Sequence, residues 1–209
     1  MSEAVAMRAE VDFLLPGKWW HIALSGPEET AREVRRMTRS VVGRHDDRAQ
    51  LRHDIQLSVE KAAAAAAAAN GSDFYFAVEI VPGVPIPASL AVCWPEVPAG
   101  LSLALSARAG AEALAANLDS IGGDAEIDVL EREGLGVVRS VKVVRGPIST
   151  ATGVEGAGEV VASYWLVRQI SPFPLLLTFS SALVSMNAEM VPLFDAIVST
   201  VEWGEPEAS

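Results

Sequence analysis

The chain has 209 residues, one cysteine and a formal net charge of -11. That length suits a single domain with a full hydrophobic core, and an apolar half of the composition excludes a disordered chain. A lone thiol excludes an intrachain disulfide framework and a multi-cysteine metal knuckle, and the acidic balance argues against nucleic acid or an anionic membrane surface as partner.

In chain order, residues 4 to 14 alternate Val5, Met7, Val11 and Phe13 on one side and predict a strand. Pro16-Gly17 predicts a turn, and Trp19 to Leu24 predicts a second strand, so the two are expected to form a hairpin. Ser25-Gly26-Pro27-Glu28-Glu29 starts a helix, with Ser25 or Gly26 as cap, Pro27 in the first turn and two acids at the positive helix end. Val34, Met37, Val41 and Val42 give it an apolar stripe, and Gly43 interrupts it. A second helix is predicted from Asp46 or Asp47 to Ala69, stopped by Asn70-Gly71. Its alanine run combines high helix propensity with small volume, so another element can approach closely.

Beyond residue 72 the period shortens. Asp73 to Val81 alternates and predicts a strand, as does Leu90 to Trp94, with Pro82 to Pro87 between them as a loop. Leu101 to Leu105 leans towards strand or irregular structure. A short alanine-rich helix follows over 110 to 118. Ala125 to Arg132, Gly136 to Arg145, Glu159 to Gln169 and Leu175 to Leu183 predict four strands. The last two, joined by Ser171-Pro172-Phe173-Pro174, form the strongest hairpin, and residues 146 to 158 read as a long glycine-rich connection. Ser185 or Asn187 is expected to cap a final helix ending at Ser199, with Met190, Leu193, Phe194, Ile197 and Val198 buried. Val201-Glu202-Trp203 predicts a short terminal strand. Consecutive hairpins make an antiparallel sheet covered by helices, the α+β class. One domain is expected over 1 to 203, with an acidic flexible tail over 204 to 209.

Glu3, Arg8 and Glu10 break up the first ten residues, which predicts no secretory leader. The most apolar stretch, 173 to 184, is shorter than the roughly 20 residues a helical span needs, so the cytoplasm is the expected compartment. Alanine richness fits a bacterial source of high GC content.

The C-terminal third, from Tyr164-Trp165-Leu166-Val167 through Leu176-Leu177-Thr178-Phe179 to Pro192-Leu193-Phe194-Asp195-Ala196-Ile197-Val198-Ser199-Thr200-Val201, resembles the end of Mog1/PsbP-like proteins. In those, two adjacent strands precede a final helix and a short terminal strand. The resemblance covers about a quarter of the chain and is a pattern of residue types rather than a signature motif. It implies an α/β/α sandwich and a binding or adaptor role. Members of that family bind small GTPases, assist photosystem assembly or belong to secretion-related bacterial groups. No family site residue carries over, and the long alanine-rich helix at 46 to 69 departs from the pattern.

The chemistry-bearing residues offer little. His45 and His53 stand eight apart, about 12 Å along a helix, too far for one metal ion, so they read as a solvated helix start. Cys93 lies between Val92 and Trp94 with nothing nearby to lower its pKa and reads as a buried, inert thiol. No nucleophile elbow surrounds any serine. Gly153-Val154-Glu155-Gly156-Ala157-Gly158 precedes a strand and lacks lysine, unlike a phosphate-cradling loop. No catalytic residue, cofactor or metal ligand is therefore assigned. Arg32, Arg35, Arg36 and Arg39 form a stripe at helical spacing, partly neutralised by Glu28, Glu29 and Glu33; a solvated outer face is the commoner reading, a docking face for an acidic partner the functional one. Trp19 and Trp20 must point to opposite faces of their strand, so either helices cover both faces or one tryptophan is exposed; burial is the commoner reading, and Trp19 is the candidate partner contact if exposed.

These readings rank a non-enzymatic binding or adaptor protein of a bacterial assembly first, with a protein partner or self-association. A small-molecule or lipid carrier, with space left over the sheet by the alanine helix, is the second expectation. An enzyme whose groups meet only in three dimensions is the third, and His21 or His53 converging with carboxylates in a cleft is its signature.

Overall fold

The computed structural model describes residues 10–43, 46–84, 86–96, 106–121, 123–132, 134–145, 158–168 and 173–204. Nine strands and four α-helices follow in the order β1 (Val11–Asp12), β2 (Lys18–Ala23), α1 (Pro27–Val42), α2 (Ala49–Ala68), β3 (Gly71–Glu79), β4 (Ala88–Cys93), α3 (Ala107–Ile121), β5 (Glu126–Arg132), β6 (Leu135–Val144), β7 (Glu159–Arg168), β8 (Leu175–Ser181), α4 (Asn187–Ser199) and β9 (Glu202–Trp203). Seven strands form one antiparallel sheet in the order β2-β3-β4-β8-β7-β6-β5, and β1 and β9 form a separate two-stranded ribbon. The protein is α+β, with four helices packed on a seven-stranded antiparallel sheet.

Alternation along each strand sorts the core. On β7, Ala162, Tyr164 and Leu166 join Leu175, Leu177 and Phe179 of β8, Leu90 and Val92 of β4, and Met190, Phe194, Ile197 and Val198 of α4. On the opposite side, Ile22, Phe74, Ala91 and Cys93 meet Val34 and Met37 of α1 and Val59, Ala63 and Ala66 of α2. Val138 and Val167 meet Ala111 and Leu114 of α3. The alanine helix permits close approach, as its composition predicts: a Cβ added at Gly71 would lie 2.6 Å from the Ala66 carbonyl oxygen. Helix α3 does the same at Gly136, where a Cβ would meet the Ala107 carbonyl oxygen at 2.1 Å.

Two expectations fail. The first strand does not pair with β2. Val11 and Asp12 pair with Trp203 and Glu202 instead, and Leu14 N–H bonds Thr200 Oγ1 at 2.9 Å. Alternation gives Val11 and Phe13 a shared apolar face but names no partner for their backbone. Gly17, at φ 77°, lies so close to Glu79 that it carries the chain across the end of β3 rather than back along β2. Second, neither Ser185 nor Asn187 caps α4. A 3-10 turn over Val184–Met186 leads straight into it, Met186 stands at the cap position, and Asn187 is already helical. The strands over 125–132, 136–145, 159–169 and 175–183 appear as β5 to β8 in the expected antiparallel order. Leu101 to Leu105, His45 and most of the 146–158 connection lie outside the described residues.

Candidate functional site

Helix α1 turns Val34, Met37 and Val42 into the core, which leaves Arg32, Arg35, Arg36 and Arg39 outside by helical period. All four are exposed. Arg36 is partly occupied: its Nη2 lies 2.8 Å from Glu33 Oε2 and its guanidinium lies 5.5 Å from the Trp20 ring centroid. Among the described residues, no carboxylate stands within ion-pair distance of Arg32, Arg35 or Arg39. Trp19 does not join them. It is half-buried on the α4 side of β2, and its Nε1–H donates to the Pro16 carbonyl oxygen at 2.8 Å. Trp20 is the tryptophan on the α1 side.

A second feature lies on the other side of the sheet, over β3 and the end of β4. There the β1 segment crosses above the sheet and leaves a cleft of about 300 Å³. Asp73, Tyr75, Val92 and Trp94 line it from the sheet, and Glu10, Val11 and Phe13 from the crossing segment. The pairing of β2 with β3 sets His21 directly opposite Tyr75, and the two rings stack at 4.8 Å between centroids. His21 Nε2 stands 2.6 Å from Asp73 Oδ1, and Phe13 meets the Tyr75 ring edge-on at 5.5 Å. Burial, then the negative charges of Asp73 and Asp12, push the Tyr75 phenol up to about 12, so it remains a neutral hydroxyl at ordinary pH. The cleft thus combines aromatic walls with carboxylates, and among the described residues its lining contains neither lysine nor arginine.

Sequence reasoning placed His21 and Asp73 in separate strands without joining them, since 51 residues intervene. Alternation set His21 and Tyr75 opposite the apolar faces of Ile22 and Phe74, so it gave no signal that the two strands pair there. Among the described residues, no serine, threonine or cysteine side chain hydrogen-bonds the His21–Asp73 pair. His53 is exposed. Among the described residues no group of three or more histidine, cysteine, aspartate or glutamate side chains is placed to hold a metal ion. Cys93 is buried, its Sγ 3.8 Å from the Ala66 carbonyl oxygen, and burial pushes its thiol up to about 11. Among the described residues no helix is long and apolar enough to cross a membrane.

Fold and sites together define an α+β protein with a cationic helix face and, on the far side of the sheet, an acidic aromatic cleft. No protein-family model, curated protein or solved structure matches the chain.

Proposed function

We propose that this chain is a non-enzymatic binding or adaptor protein of a bacterial multiprotein assembly, and that it docks an acidic protein surface through the outer face of α1. The observation that carries this reading is the set of three exposed arginines, Arg32, Arg35 and Arg39, with no carboxylate within ion-pair distance among the described residues, on a chain whose net charge is -11. An acidic protein that displays a local cationic stripe attracts an oppositely charged patch there and repels it elsewhere, which gives register and orientation. A cytoplasmic, secretion-related setting and an α/β/α sandwich of the Mog1/PsbP-like kind belong to the same proposal. The separate clusters under α1, α2 and α3 on one side and α4 on the other support the sandwich.

The test compares affinity capture by the native chain and by the triple variant Arg32→Glu, Arg35→Glu, Arg39→Glu, with circular dichroism to show that both fold. A protein retained by the native chain and lost with the variant is expected. Identical captured sets for the two chains would contradict the reading.

The 300 Å³ cleft favours a second reading, a small-molecule carrier. This cleft lies on the side of the sheet away from the alanine helix, under β1.

A further inference from the structure

We infer that the cleft under β1 is a binding site for a small organic cation, an ammonium or guanidinium group carried on an apolar stem. This deepens the carrier reading and is independent of the arginine face of α1.

Three observations converge. The first is shape: the cleft holds about 300 Å³, the lower end of the range for small-molecule sites. It is bounded by the rigid sheet on one side and the β1 segment on the other. That segment is pinned by Gly204 N–H to the Glu10 carbonyl oxygen at 2.8 Å and by the Leu14 bond to Thr200.

The second is the walls. Phe13, Tyr75 and Trp94 line the cleft, with Val11 and Val92 between them. Phe13 and His21 hold the Tyr75 ring by edge and by face. Aromatic faces attract cations through the ring quadrupole and cost a small charged ligand less desolvation than an aliphatic wall.

The third is charge. Glu10 and Asp73 line the space, and Asp12 is near enough for its charge to act on the Tyr75 hydroxyl. Among the described lining residues there is no lysine or arginine, and Asp73 Oδ1 lies 2.6 Å from His21 Nε2. An anionic ligand would meet repulsion from Glu10 and Asp73. A cation would set its charge between Glu10 and Asp73 and its stem against Phe13 and Tyr75, which neither feature alone would specify.

The same chemistry is found in a free amine and in a lysine or arginine side chain of a peptide. Titration of the full chain at low salt with phenethylamine, with acetylated and amidated Gly-Arg-Gly and Gly-Lys-Gly, and with benzyl alcohol separates these cases. Backbone amide shifts of Asp73, Tyr75 and Val92 are the readout. Phenethylamine is expected to bind with Kd of about 1 mM or tighter and to shift these residues, with benzyl alcohol at least about tenfold weaker. Tighter binding of a capped peptide than of phenethylamine assigns the cation to a partner protein, and the reverse assigns it to a free amine; either supports the proposal. Asp73→Asn should weaken cation binding at least about fivefold. Glu10→Gln, at an exposed position, should weaken it in the same direction without touching the His21 contact, so the result does not depend on how Asp73→Asn folds. Equal binding of benzyl alcohol and phenethylamine overturns the cation proposal and leaves the carrier reading standing. Binding of no probe overturns both.

Discussion

The Tyr164 hydroxyl donates to Asp195 Oδ1 at 2.8 Å and so ties the middle of β7 to helix α4. Tyr164 is fully buried, and the other oxygen of Asp195 accepts from Arg139 Nη1 at 2.7 Å. Arg139 also reaches Asp128 Oδ2 at 2.6 Å, so β5, β6, β7 and α4 meet in one polar network beside the stacked rings of Phe179 and Phe194. Burial, the bond to Asp195 and the charge of Asp195 raise the Tyr164 pKa, and the bond to Asp128 helps raise that of Arg139.

Tyr164→Phe should destabilise the fold by about 0.5 to 1.5 kcal/mol, the usual net worth of one hydrogen bond. Asp195→Asn in the same background should cost less than in the native chain, because both changes remove one link. A double-mutant cycle by urea unfolding checks this; additive effects would contradict the linkage.

Both tyrosines of the chain have raised pKa values, Tyr75 to about 12. For a phenol, a raised folded value means that the folded state holds its proton more tightly than the unfolded state, whose value is near 10. This contribution to stability is fully present below about pH 10 and is lost as pH rises towards about 12. Absorbance of tyrosinate should therefore show little ionisation of the folded chain near pH 10, and ionisation should coincide with unfolding. A reversible step near pH 10 carrying half the signal, with the fold intact, would contradict this.

Helix α3 is seated by the missing side chain of Gly136. Gly136→Val would drive a methyl group into the Ala107 carbonyl and the Ala111 Cβ. Loss of about 1 to 3 kcal/mol is expected, as for other overpacked sites. Gly26→Ala is the control: its φ of 171° is extended and nothing lies within 4 Å of the added Cβ, so its effect should stay within about 0.5 kcal/mol. Comparable losses for both would show that α3 is not packed on β6 as described.

Cys93 is 2% exposed, with its thiol pushed up to about 11 by burial. A thiol reagent at pH 8 should leave the native chain nearly unmodified and react fully once urea unfolds it. Rapid reaction of the folded chain would contradict its place under α2.

Much of this architecture is legible in the residues because it is local. Strands β5 to β8 alternate, follow one another and pair with their chain neighbours, and Asn70, at φ 60°, ends α2 where Asn-Gly predicts. What escapes is non-local. Pairing of β4 with β8 and of β1 with β9 depends on backbone edges left free by other strands, and amino-acid pattern does not encode which edge is free. The cleft escapes for the same reason. His21 and Asp73 become neighbours only because α1 and α2 together span the gap between β2 and β3, returning the chain beside β2. The arginine stripe was legible because helical period alone sets its direction.

The docking account is tested most directly by the resonances of α1. Polyglutamate added to the full chain at low salt should shift residues 28 to 40, and the shifts should vanish in the triple arginine-to-glutamate variant and fade at about 0.3 M salt. Shifts that are absent, or that persist in the triple variant, would contradict the claim that this helix face is where an acidic partner docks.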